Sequence, residues 1–71
     1  MEAETKRIQE NIRKIRLKKK ISVLDLSLAA GISHSHLYYI ESMRTVPSVD
    51  VLVRIAKSLN VQLGELIDMN D

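Results

Sequence analysis

The chain has no cysteine, no phenylalanine and no tryptophan, and only one proline and two glycines in 71 residues. Without cysteine there is no disulfide framework and no thiolate-ligated zinc or iron–sulfur site, the usual supports of so short a chain. Without Phe and Trp, the core must close on Ile, Leu and Val. So little Gly and Pro points to helices rather than a turn-rich β fold. No run approaches the ~20 apolar residues that span a bilayer, and no signal-peptide pattern opens the chain. A cytoplasmic protein is therefore expected, and residues 1–71 are read as one domain. A chain of this length leaves little room for a buried substrate or effector pocket.

What is present is a globular composition, 45% hydrophobic and 28% charged. The net charge is only +2, but it is unevenly spread. Residues 1–44 hold nine Lys/Arg against five Asp/Glu, whereas residues 45–71 hold two against four. A basic half is suited to a polyanionic partner, although a solvated face is the simpler reading of any charge run.

Apolar spacing divides the chain into five helices. Ile8, Ile12 and Ile15 mark one over residues 6–19, with Ile21 closing its exit. Its basic end, including Lys18, Lys19 and Lys20, complements the helix dipole; of these, Lys19 is the candidate phosphate contact. Ser22 caps a second helix, in a box with Asp25, with Leu26, Ala29 and Ala30 as its buried stripe. Gly31 ends it, where a left-handed residue costs little. Ser33 caps a third helix, from His34 to about Ser42. Pro47-Ser48 opens a fourth over 49–59, with Leu52, Ile55, Ala56 and Leu59 on one face. Asn60-Val61 breaks it, and residues 63–69 make a fifth, with Leu63, Leu66, Ile67 and Met69 apolar. The first few residues and Asn70-Asp71 read as loose ends.

Segment 22–42 carries the function. Two short helices meet at Gly31, with small Ser27 and Ala30 before it and Ile32, Leu37 and Ile40 after it. This is the helix-turn-helix pattern, whose second helix enters the DNA major groove. Counting ~100° per residue, Ser33, Leu37 and Ile40 share one side of the third helix, the core face. His34, Ser35, Tyr38, Tyr39 and Ser42 form an uninterrupted arc on the other. Such groups hydrogen-bond without bringing a carboxylate to DNA.

From about residue 7 to 67 the chain resembles the lambda-repressor-like, Cro-type helix-turn-helix family. The resemblance rests on IRKIR in the first helix, DLSLAAGIS across the turn, YIES at the end of the third helix, and PSVDVLVRIAKSLNV beyond it. It implies a compact all-α, five-helix domain that binds operator DNA, usually as a two-fold dimer. It assigns base-edge contacts to His34, Ser35 and Tyr39, with Tyr38 the alternative to Tyr39 and rim packing the competing reading for either. It assigns phosphate contacts to Ser33, Arg44 and Thr45, against the reading of 44–45 as an ordinary loop. Glu41 takes the position of the family's acid, paired with an Arg of the first helix, here Arg16. Three positions depart from the family. Val23 replaces a phosphate-binding Gln, and Lys20 and Met43 replace glycines that follow the first and third helices. Either Met43 is held in the left-handed region or the third helix ends differently.

Helix 4 is more apolar than one buried stripe requires. Val49, Val53, Val61, Leu63 and Ile67 are expected to form a dimer interface, setting two recognition helices ~34 Å apart; burial in a small core is the competing reading. His34 and His36 diverge by ~200° on a helix and cannot chelate one ion together. No third ligand, nucleophile or cofactor motif accompanies them, so neither an enzyme nor a metal or cofactor site is expected. The leading expectation is a sequence-specific DNA-binding transcriptional regulator, a repressor, acting as a homodimer on double-stranded operator DNA. The alternative is a protein-interaction module of the same fold, such as an antitoxin or bridging protein.

Overall fold

In the computed structural model the elements are α1 (Glu2–Lys18), α2 (Val23–Ala30), α3 (His34–Glu41), α4 (Val49–Leu59) and α5 (Leu63–Asp68). The structure describes residues 2–68, with no strand among them; Met69 and Asn70–Asp71 lie outside the described residues. The fold is all-α. α1 begins at Glu2, four residues before the first expected helical residue. Glu4 lies in its first turn, where a carboxylate complements the positive end of the helix dipole.

The starts of α2, α3 and α4 follow one rule. Ser22, Ser33 and Ser48 adopt extended backbone, and each Oγ accepts the amide N–H three residues on, at 3.0, 3.0 and 3.1 Å. Each satisfies one of the four amides that a helix start leaves without a helical partner. At α5 the acid supplies the bond instead, Glu65 Oε2 accepting from Gln62 N–H at 2.7 Å.

The ends of α1 to α4 also share one geometry. Lys20, Gly31, Met43 and Asn60 all have positive φ, between 60° and 70°. In each case the next residue donates its N–H to a carbonyl five residues back: Ile21 to Arg16, Ile32 to Ser27, Arg44 to Tyr39 and Val61 to Ala56, at 2.9–3.0 Å. These are Schellman endings. Gly31 carries no penalty there, and Asn tolerates the conformation. At Lys20 and Met43 the left-handed backbone costs ~1–2 kcal/mol each. Met43 thus bears the strain; the helix does not end in another way.

The core is aliphatic, as the lack of Phe and Trp requires. Ile12, Leu26, Leu37, Ile40, Ile55, Leu59 and Leu66 are fully buried, with at least one from every helix. α2 packs on α3 and α4, and α1 lies across α3 and α5. Two details differ from the periodicity. Ala29 is exposed and Ser27 takes its place in the buried stripe of α2 with Leu26 and Ala30. The Ser27 hydroxyl is satisfied by the Leu24 carbonyl at 2.8 Å. Ser33, placed on the core face by helical geometry, is exposed because its φ of −72° and ψ of 154° put it outside the helix it caps.

Candidate nucleic-acid interface

α3 turns its two apolar residues, Leu37 and Ile40, into the core. Four residues between and before them stay outside. His34, Ser35, Tyr38 and Tyr39 are all exposed on one continuous face. The two tyrosine rings meet edge to face, with centroids 5.9 Å apart. The Arg44 guanidinium lies 6.0 Å from the Tyr38 centroid and 5.8 Å from that of Tyr39. Such exposed contacts are worth about 0.5–1 kcal/mol each. They hold a cation at the rim of an otherwise uncharged face. Ser33 and Arg44 are exposed and Thr45 is half-buried, so the two ends of α3 flank that face. Lys19 is exposed past the end of α1.

The orientation of α3 is set by polar contacts from α1. Arg16 Nε donates to Glu41 Oε2 at 2.7 Å, and its Nη2 donates to Oε1 at 2.9 Å. Its Nη1 donates to the Ile21 carbonyl at 2.8 Å. The two side chains are only 9% and 7% exposed, so this is a two-pronged pair shielded from water. It joins α1, the turn after it and the end of α3.

Two further α1 residues make contacts that were not visible in the sequence. Buried Gln9 donates from Nε2 to the carbonyls of Ile40 and Thr45, at 2.6 and 2.9 Å. Buried Asn11 donates from Nδ2 to the Leu66 carbonyl at 2.6 Å. Leu66 O lies in the last turn of α5, where carbonyls lack partners within the helix, and Asn11 donates to it. The signal was one of position: on a helical wheel, Gln9, Asn11 and Arg16 flank the stripe of Ile8, Ile12 and Ile15. Their partners lie 31 and 36 residues away for Gln9 and 55 away for Asn11, beyond the reach of any local pattern.

The residues expected at a dimer interface divide. Val49 is 70% and Ile67 48% exposed, and Val53 is half-buried. Val61 and Leu63 are half-buried and pack against the core. Together with Ala56, Val53, Val61 and Leu63 line an open groove between α4 and α5. Val23, in place of the family's Gln, is half-buried against the core, so its side chain turns inward. Among the described residues no three His, Cys, Asp or Glu side chains gather where they could hold a metal ion. No described helix is long and apolar enough to cross a membrane.

A capped pair of short helices joined at Gly31, with the second exposed and braced from behind, defines a helix-turn-helix domain. The chain matches the helix-turn-helix family over residues 12–66. It belongs to the Cro-type, lambda-repressor-like helix-turn-helix family of DNA-binding transcriptional regulators. Its structure is similar to that of the restriction-modification controller protein C.AhdI from Aeromonas hydrophila. The TM-score is 0.84 at 22% identity, covering 90% of this chain and 97% of that one, a likeness of fold. It is also similar to SinR, a master regulator for biofilm formation solved in complex with DNA. Here the TM-score is 0.77 at 32% identity, over 86% of this chain and 98% of that one. The SinR protein/SinI protein complex is a third neighbour, again with a TM-score of 0.77 at 32% identity, covering 87% of this chain and 61% of that one. No curated protein matches the chain.

Proposed function

We propose that this protein represses transcription by binding operator DNA as a two-fold homodimer, with the exposed face of α3 in the major groove. The observation that carries the reading is the uncharged arc of His34, Ser35, Tyr38 and Tyr39, flanked by Arg44 and braced through Arg16–Glu41. Hydroxyl, imidazole and phenol groups can donate to and accept from base edges, and aromatic rings can meet the thymine methyl. His34, Ser35 and one of Tyr38 and Tyr39 read bases. Ser33, Arg44, Thr45 and Lys19 meet phosphates, and these contacts set register without carrying sequence. SinR, 32% identical, was solved with DNA, which supports the same partner here. The protein acts by occupancy rather than catalysis, without a cofactor or a small-molecule substrate.

The second subunit docks on the α4–α5 face, through Val49, Val53 and Ile67 with Val61 and Leu63 beneath. A single small module buries little DNA surface and binds weakly, and two half-sites restore affinity. The reading is tested by titrating a library of short duplexes at several salt concentrations, with sedimentation of the free protein. It predicts preferred sites, a steep salt slope and a dimer. No preference for any duplex, even at low salt, overturns it and favours the protein-interaction alternative.

A further inference from the structure

We propose that Gln9 is a positioning residue for DNA binding: its buried carboxamide clamps the left-handed turn at Met43 and so sets where Arg44 and Thr45 stand. The consequence for DNA rests on the reading that Arg44 and Thr45 meet phosphate.

The four Schellman endings make the case by comparison. In such a motif the residue after the left-handed position usually packs on the helix and pins the turn. Ile21, Ile32 and Val61 do so, each packed against the core. The fourth residue is Arg44, which is exposed. Arg44 reaches only the exposed rings of Tyr38 and Tyr39, at 6.0 and 5.8 Å, so it ties its turn to the surface of α3 and not to the core. Met43 is itself exposed and adds little anchoring.

Gln9 supplies what Arg44 cannot. The two hydrogens of its Nε2 go to Ile40 O and Thr45 O, at 2.6 and 2.9 Å, carbonyls on either side of Met43. Only 2% of Gln9 is exposed, and its bond to Ile40 O is buried and that to Thr45 O part-buried, so both are shielded from water on the α1 side. Lys20, the other strained ending, has a parallel device, with Arg16 Nη1 held on the Ile21 carbonyl at 2.8 Å. Where Gly31 takes the left-handed position without strain, the following side-chain contact is a long, exposed 3.5 Å approach of Arg54 to Gly31 O. Buried α1 side chains therefore brace the two turns whose own residues resist the conformation.

The test compares Gln9→Leu, Met43→Gly and the double variant, each at a temperature where circular dichroism shows it folded. Gln9→Leu frees the strained turn to relax. Binding to the best duplex is expected to fall about tenfold at 0.1 M salt, and the log–log salt slope by about 0.9, the loss of one phosphate contact. Met43→Gly removes the reason to relax, so the double variant should return to within about twofold of Met43→Gly alone. In the free protein, exchange of the Arg44 amide, bonded to Tyr39 O at 2.9 Å, should speed up at least about tenfold in Gln9→Leu and recover in the double variant. Should Gln9→Leu not fold, Gln9→Asn, too short to reach both carbonyls, is read in the same way. A lower melting temperature with unchanged slope and unchanged Arg44 exchange would make Gln9 a merely structural residue and overturn the proposal. Arg44→Ala separates the two readings. If it leaves affinity and slope unchanged, the phosphate role fails, and the clamp stands or falls on the amide exchange alone.

Discussion

Replacing Glu41 by Ala removes the carboxylate held by the Arg16 guanidinium and leaves that cation on the Ile21 carbonyl. Both side chains are more than nine-tenths buried, so water cannot take the carboxylate's place without opening the α1–α3 contact. Removing one partner of a buried pair costs about 3–5 kcal/mol, because a charge is stranded. A domain of this size has a total stability of about 4–10 kcal/mol. Glu41→Ala should therefore consume about 30% of it or more. At about 4–8 °C per kcal/mol, the melting temperature should fall by at least about 12 °C, read by circular dichroism at 222 nm. The same reasoning predicts that Arg16→Met with Glu41→Leu, an apolar pair of similar bulk, recovers most of the loss. A cost below about 1 kcal/mol for Glu41→Ala would put the pair in the class of exposed ion pairs and refute the argument.

Two further outcomes follow from the backbone and the α1 contacts. Lys20→Gly should stabilise the protein by about 1 kcal/mol by relieving its φ of 60°, whereas Lys20→Ala should not. Equal melting temperatures for the two would show that the left-handed residue carries no strain. Asn11→Ala should cost about 1–3 kcal/mol by removing the buried bond to the Leu66 carbonyl. It should also raise amide exchange in α5 more than in α2; uniform exchange would mean that Asn11 does not hold α5 in place.

The elements were legible wherever the cause was local. Ser22, Ser33 and Ser48 mark helix starts by a bond three residues long, so sequence spacing suffices to find them. The outward arc of α3 follows from the burial of Leu37 and Ile40. The start of α1 was less visible, because no serine or threonine cap announces it. The roles of Gln9 and Asn11 depend on carbonyls that only the folded chain brings near. The sequence left two outcomes open at Met43. The fold decides between them, because Arg44 N–H and Tyr39 O close the Schellman ring only with Met43 left-handed.

The central claim is that the exposed side chains of α3 read bases while those at its ends hold the backbone. Selection from random duplexes with the unaltered protein, Ser35→Ala, Tyr39→Ala and Arg44→Ala tests it most directly. The account predicts that the unaltered protein enriches two half-sites about 10 base pairs apart, centre to centre. Ser35→Ala and Tyr39→Ala should each lose preference at particular positions, while Arg44→Ala keeps the same sites and binds all of them more weakly. Identical enriched sites for all four proteins, or none for the unaltered protein, would contradict it.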